Sequence, residues 1–168
     1  MNQSPMKNLL AAFFLFTVAL TSSSQELWLN EVDDFTGACR KVTSPEIIGD
    51  NGKDSNYDKV SIRFSALRIN DSRAFRLKSS SHLGCAGADG NYAMLKFSDD
   101  TVIKFDDTAE INCQDMASST FLVSDEMWAR IEANDAPVMI RLKQSEYYTD
   151  AKTVNAEMWN AHWAAVGK

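Results

Sequence analysis

The stretch that decides the fold is LKFSDDTVIKFDDT, Leu95 to Thr108, in which apolar and polar residues alternate around two acidic pairs. A period of two is typical of strands that bury one face. A three-residue turn at 98–100, with its last residue in the left-handed region, places Leu95 opposite Ile103 on the apolar face of a hairpin. A two-residue turn would set Leu95 against Lys104 and bring charge into the core. The sequence therefore predicts a β-hairpin with the longer turn.

The two acidic pairs, Asp99-Asp100 and Asp106-Asp107, lie at opposite ends of this hairpin. A strand rises about 3.3 Å per residue, so the pairs stand roughly 15 to 20 Å apart. One cation cannot be bound by both pairs, and the pairs cannot act together as one acid/base couple. Turn formation is the interpretation that we favour. A calcium site that uses one pair together with distant ligands remains the alternative.

The N-terminal residues indicate export. Lys7 precedes an apolar run from Leu9 to Leu20, and small polar residues up to Ser24 follow it. This order is typical of a secretory signal peptide, and the run is shorter than the roughly 20 residues that a membrane span needs. We predict a signal peptide at residues 1–24, a periplasmic or secreted product, and no transmembrane segment after signal removal.

Charge and length bound the remaining chain. The net charge is −6, and removal of residues 1–24 takes away one lysine and no acid, which gives −7. Nucleic-acid binding needs clustered basic residues, and here they are scattered, so we exclude that class of partner. The length fits one domain. We predict a single α+β domain at 25–152 and an amphipathic C-terminal helix packed on it at 153–168.

The chain has three cysteines, which enter an oxidising compartment if the protein is exported. Cys85 and Cys113 flank the same hairpin, so we predict a disulfide between them. Closing that loop stabilises the fold by about 3 to 4 kcal/mol on the chain-entropy account. Cys39 lies in an alternating segment and is predicted to be a free, buried thiol.

Strand patterns fill the first two thirds of the chain, and two helical patterns follow, one after Ser124 and one after Thr153. We predict an α+β fold: an antiparallel, meander-like sheet of about six or seven strands, with one covering helix and a C-terminal helix docked beside it. The turn-rich segment Ser44 to Asp58 is predicted to be a surface loop. A change of apolar parity predicts a β-bulge near Ser65-Ala66.

Trp159, His162 and Trp163 form the densest aromatic group, at helical spacing near the C-terminus. Such a stripe commonly docks a helix on a sheet. Exposed tryptophans can also bind a sugar ring or a partner protein. These three residues are the predicted ligand- or partner-binding residues.

Other motifs give weaker signals for chemistry. HLGC places His82 three residues before Cys85, which suggests half of a zinc site or a thiol beside a base. DNGKDSNYD, from Asp50 to Asp58, resembles a calcium loop only loosely. The sequence contains no phosphate loop, nucleophile elbow or dinucleotide motif. We predict no catalytic residue, no metal site and no cofactor.

Three segments, DDFTGACRKVTS, LKFSDDTVIKF and FLVSDEMWARIEANDAPVMIRL, give the chain a resemblance to small exported bacterial β-rich proteins of uncharacterised function. The resemblance covers roughly Asp33 to Leu142 and carries over no functional residue. The function predicted is that of an exported non-catalytic domain that binds an envelope protein or small ligand through its aromatic C-terminal region or an exposed sheet face. A small metal-dependent or thiol-dependent hydrolase that uses His82, Cys85 and loop carboxylates is the alternative.

Overall fold

The computed structural model describes residues 25–34, 36–53, 59–114 and 116–168. The predicted signal peptide lies outside these residues, as do residues 54–58 of the segment that loosely resembles a calcium loop. Eleven strands and two helices occupy the described ranges. Their bounds are β1 Leu27–Val32, β2 Cys39–Thr43, β3 Glu46–Asp50, β4 Ser61–Ile69, β5 Ser72–Ser79, β6 Tyr92–Lys96, β7 Val102–Asp106, β8 Ser119–Leu122, α1 Asp125–Glu132, β9 Met139–Gln144, β10 Tyr147–Ala151, β11 Thr153–Val154 and α2 Ala156–Val166.

The strands form two antiparallel sheets. The first has seven strands. Five of them follow the order β1-β2-β4-β3-β11, and β5 pairs with β4 and with β8. The second has four strands in the order β10-β9-β6-β7. The predicted α+β class, with antiparallel strands and covering helices, is confirmed. The division into two sheets was not predicted, because alternation shows that a strand has a buried face and not which sheet that face belongs to.

The β6–β7 hairpin has the predicted register. Leu95 pairs with Ile103 and Ala93 pairs with Phe105, and all four side chains are buried. The backbone N–H of Phe97 donates to the carbonyl oxygen of Thr101 at 2.9 Å, which closes the three-residue turn. The last turn residue, Asp100, has a φ of 64°. The longer turn and its left-handed final residue are therefore confirmed.

Two details of the first sheet correct the sequence interpretation. The segment predicted as one surface loop contains strand β3, which pairs with β4. The predicted bulge at Ser65-Ala66 is wrong, because the ladder between β4 and β5 runs unbroken from Ile62 to Ile69. The parity of β4 changes for another reason: Ser65 and Leu67 are buried on the face opposite to that of Phe64. The irregularity in register falls instead in β3, between Ile47 and Gly49.

Local signals position both helices, but α2 begins at Ala156 and not at 153 as predicted, because Thr153–Val154 form strand β11. The Ser124 side chain accepts from the backbone N–H of Met127 and caps α1, and the Asn155 side chain accepts from Met158 N–H and caps α2. Gly167 ends α2 in the left-handed conformation, with a φ of 83°. Neither helix of the described chain is long and apolar enough to cross a membrane.

Aromatic side chains join the two sheets and α2 into one core. Phe75 of the first sheet lies 5.2 Å from Phe105 of the second, centroid to centroid, and Phe64 lies 4.5 Å from Trp159 of α2. Trp159, Trp163 and His162 are each 0 % exposed. The prediction that these three residues form a binding surface is therefore wrong. They dock the helix on the sheet, since burying such rings against Phe64 removes a large apolar area from water.

Candidate functional site

The hairpin acids have structural partners. Asp99 accepts from the backbone N–H of Thr101 at 3.0 Å and from Arg130 at 2.9 Å. Asp107 accepts from three backbone N–H groups at the other end of the hairpin, those of Gly87, Ala109 and Thr120. Each pair thus orders its own loop, which agrees with the favoured interpretation. The other aspartate of each pair forms an ion pair with a lysine: Asp100 with Lys96 at 2.7 Å and Asp106 with Lys104 at 3.1 Å.

His162 is held as a neutral side chain in the core. Its Nδ1 lies 2.6 Å from the Thr43 hydroxyl oxygen, which in turn accepts from the backbone N–H of Ala66 at 2.9 Å. Burial lowers the pKa of His162 to about 4. Its Nε2 is buried without a hydrogen-bond partner among the described residues. No substrate can reach this imidazole in the folded structure, so it provides no acid/base group at the surface.

The cysteine and histidine candidates for hydrolysis are not brought together as a site. Cys85 is bonded to Cys113, as predicted, so it carries no thiolate. His82 lies on the exposed surface, and Cys39 is free but only half-buried, not fully buried as predicted. Across the described ranges, no three His, Cys, Asp or Glu side chains are grouped so that they could hold a metal ion.

The outward face of the second sheet is aromatic and basic, and its charges are already paired. Arg141 donates to both carboxylate oxygens of Asp150, at 2.7 and 2.8 Å, and lies 4.5 Å from the ring centre of Tyr148. The hydrogen bonds that Arg141 donates to Asp150 raise the pKa of Arg141 further above its usual range. Lys143 donates to the carbonyl oxygens of Gly90 and Ser145. This face therefore offers few unsatisfied charges to a ligand.

The outward face of the first sheet has the opposite property. Arg63 of β4 lies opposite Lys78 of β5, and two residues along, Ser65 lies opposite Arg76. Arg76 in turn lies opposite Thr120 of β8. Paired residues share a face and start about 5 Å apart across strands, while alternate residues start about 7 Å apart along a strand. None of the three basic side chains forms an ion pair with a residue that the structure describes.

These basic residues line two cavities that meet. A cavity of about 200 Å³ lies toward Trp28, and one of about 520 Å³ lies toward residues 108–114 and 116–118. Arg76, Lys78 and Ser118 line both, so the two are adjacent, and Arg63 lines the smaller one. We call the two together the basic cleft, and its defining residues are Trp28, Arg63, Ser65, Arg76, Lys78 and Ser118.

The electrostatics of the basic cleft favour an anion. Two unit charges about 6 Å apart repel by roughly 1 to 3 kcal/mol near a protein surface. Arg63, Arg76 and Lys78 therefore repel one another, and an anion bound among them would remove that repulsion. Glu110 lines the larger cavity but forms no ion pair with any described basic residue. Hydroxyl groups of Ser65, Ser118 and Thr120 supply additional hydrogen-bond donors.

Sequence reasoning missed the basic cleft because the three cations come from two strands. RFSALR and RAFRLK each show polar residues at alternate positions, which is the pattern of any solvated sheet face. The pairing of β4 with β5 makes Arg63 a neighbour of Lys78, fifteen positions later in the chain. Strand pairing is not readable from alternation alone. The signal that was available is the polar alternation shared by two consecutive strands joined by a short turn at Asn70-Asp71.

Comparisons with known proteins give no relative from which a role could be transferred. No protein-family model matches this chain, and neither curated proteins nor solved structures give a significant match.

Proposed function

We propose that this chain is an exported, non-catalytic domain of the cell envelope that binds an anionic ligand in the basic cleft. The observation that carries the proposal is the contrast between the two sheet faces. In a protein with a net charge of −6, the cations of the second sheet are paired, while Arg63, Arg76 and Lys78 line one depression and form no ion pair with a described residue. Unpaired cations in a concave site raise the local concentration of anions.

The proposal keeps the predicted role in binding and changes its location. The aromatic C-terminal helix is packed in the core, whereas an exposed sheet face, the second surface named by the sequence, carries the cleft. The hydrolase alternative receives no support from the residues that suggested it, since Cys85 is in a disulfide and His82 lies on the exposed surface.

Export is part of the proposal. The disulfide between Cys85 and Cys113 is compatible with an oxidising compartment, where such bonds persist. The apolar run before Ser24 supports a removed signal peptide. Sequencing the N-terminus of the protein isolated from the envelope or medium tests this part, and a mature start near Gln25 is expected.

Binding is tested with two triple variants, one on each sheet face, in which three basic residues are replaced by glutamine. The cleft variant carries Arg63→Gln, Arg76→Gln and Lys78→Gln. The control variant carries Lys96→Gln, Lys104→Gln and Lys143→Gln on the second sheet, so both lose three positive charges. Inorganic pyrophosphate and citrate serve as probes, and calorimetry or NMR titration measures affinity at low and moderate salt.

We expect the cleft triple to weaken binding at least about tenfold, which corresponds to about 1.4 kcal/mol. The control triple should keep the affinity within about threefold, because its lysines are distant from the cleft and already paired. Affinity should fall as salt rises. Equal losses in both triples would show that net charge alone attracts the probes, and an absence of binding to the wild-type protein would overturn the proposal.

A further inference from the structure

We infer that the ligand of the basic cleft is an acidic saccharide chain, with Trp28 stacked on a sugar ring and Arg63, Arg76 and Lys78 paired with its carboxylate or sulfate groups. This inference rests on the proposed anion binding and adds the class of ligand. It is carried by three features of the cleft: an exposed indole, polar walls and an elongated shape.

The first feature is the indole of Trp28. Its side chain is 68 % exposed and contacts no aromatic ring or cation among the described residues. The other three tryptophans are engaged: Trp159 and Trp163 are buried in the core, and Trp128 lies 3.7 Å beneath the Arg73 guanidinium. Trp28 is therefore the one indole that a ligand can reach over a large area. Its flat apolar face suits the C–H face of a pyranose ring, which is flat as well.

The second feature is the chemistry of the walls. Ser65 and Ser118 line the smaller cavity beside the apolar Val42 and Pro45, and Thr108, Asn112 and Gln114 line the larger one. Hydroxyl and amide groups both donate and accept hydrogen bonds, as sugar hydroxyls also do. The strands β4 and β5 lie inside the sheet with partners on both sides, so neither of them offers a free edge to a peptide backbone.

The third feature is the length of the cleft. The two cavities share Arg76, Lys78 and Ser118, so a ligand can extend from Trp28 toward Thr108, Asn112 and Gln114. The basic side chains start about 5 to 7 Å apart across and along the strands, a separation comparable to one sugar unit. Consecutive acidic units of one chain can therefore meet consecutive cations, whereas a single small anion occupies only part of the cleft.

The experiment compares four probes on the intact protein: an oligogalacturonate of six units, a sulfated oligosaccharide of similar length, polyglutamate and inorganic pyrophosphate. The test variant is Trp28→Ala, with Trp28→Phe as the conservative variant. The matched control is Tyr147→Ala, an aromatic of similar exposure on the second sheet, since Tyr147 is 65 % exposed. Trp28 is a surface residue, and a thermal melt of each variant confirms that it folds.

We expect one of the two acidic oligosaccharides to bind at least about tenfold more tightly than pyrophosphate, and the preferred one identifies carboxylate or sulfate as the anionic group. Trp28→Ala should weaken saccharide binding about tenfold and pyrophosphate binding by a clearly smaller factor, while Trp28→Phe and Tyr147→Ala keep most of the affinity. Indole fluorescence should shift on saccharide binding in the wild type and not in Trp28→Ala.

The results distinguish a failure of the saccharide inference from a failure of the proposed anion binding. If pyrophosphate binds through the cleft cations but neither saccharide binds more tightly, or Trp28→Ala changes nothing, the saccharide inference is overturned and anion binding stands. If polyglutamate binds as tightly as the saccharides, an acidic protein is the better ligand class, and the inference is again overturned. If no probe depends on Arg63, Arg76 and Lys78, the proposed function fails and the inference fails with it.

Discussion

The carboxylate of Asp99, in the β6–β7 turn, accepts a hydrogen bond at 2.9 Å from the guanidinium of Arg130 in α1. The same guanidinium donates to Asp135 and lies 4.2 Å from the ring centre of Phe97. An acid that sequence alone could assign to a metal thus fastens the hairpin turn to the helix. Because Arg130 contacts both Asp99 and Phe97, it fixes the position of α1 relative to the hairpin of the second sheet.

This contact should respond to acid. The hydrogen bond from Arg130 lowers the pKa of Asp99 from 3.8 to about 2. A depressed folded-state pKa stabilises the fold above the unfolded value, so the contribution is fully present above pH 4 and is lost as the pH falls through about 2. NMR titration of the Asp99 carboxyl carbon measures it, and Arg130→Gln should return the midpoint toward the ordinary value. An unchanged midpoint in Arg130→Gln would contradict the assignment.

Asp107 should matter far more than its neighbour Asp106. Asp107→Ala leaves the backbone N–H groups of Gly87, Ala109 and Thr120 without their acceptor, so we expect the free energy of unfolding to fall by about 2 to 3 kcal/mol. Asp106→Ala removes one exposed ion pair with Lys104 and should change it by less than about 1 kcal/mol. Urea unfolding of both variants tests this, and similar losses would exclude the three-bond role.

Local patterns made the hairpin, both helix starts and the disulfide predictable. Leu95 and Ile103 share a face because parity and turn length leave one arrangement with a clean core. The side chains of Ser124 and Asn155 cap their helices by accepting from the backbone N–H three residues later in the sequence. Each of these features depends on residues that are near one another in the sequence.

Features that depend on distant pairing were not predictable in the same way. Strand β8, only four residues long, exists because its Phe121 packs against Phe75 of β5, and β11 is a two-residue strand paired with β3. The cleft needs Arg63 and Lys78 to be cross-strand neighbours. The aromatic stripe of α2 has the same periodicity whether it faces a sheet or a partner, so sequence alone leaves Trp159 and Trp163 ambiguous.

The disulfide should account for a large share of stability. Replacing Cys85 and Cys113 together with serine should lower the free energy of unfolding by about 3 to 4 kcal/mol, because the bridge closes a loop in the unfolded chain. Cys39→Ser is the control, since Cys39 is outside the bridge and half-buried. Denaturant unfolding with and without reductant gives the comparison. A reductant effect on the serine pair as large as that on the wild type would show that the bridge is not responsible.

The buried imidazole of His162 gives the fold a second acid sensitivity, in a higher pH range. The Nδ1 atom of His162 lies 2.6 Å from the Thr43 hydroxyl oxygen, and burial lowers the pKa of the ring from 6.5 to about 4. The unfolded chain binds a proton more readily than the folded one does. The stabilisation is therefore fully present above pH 6.5 and is lost as the pH falls to about 4, by at most about 3 kcal/mol.

His162→Phe removes this titration while keeping a ring against Phe64, whose centroid lies 5.1 Å from the imidazole. Urea unfolding at pH 7 and at pH 4.5 should show a smaller acid loss in His162→Phe than in the wild type, because the acid loss of Asp99 falls at lower pH and is common to both proteins. Thr43→Val, which removes the hydroxyl group but keeps the imidazole, should retain the acid loss. If the wild type and His162→Phe lose the same free energy over this range, the imidazole is not the titrating group, and its contacts with Thr43 and Phe64 are packing alone.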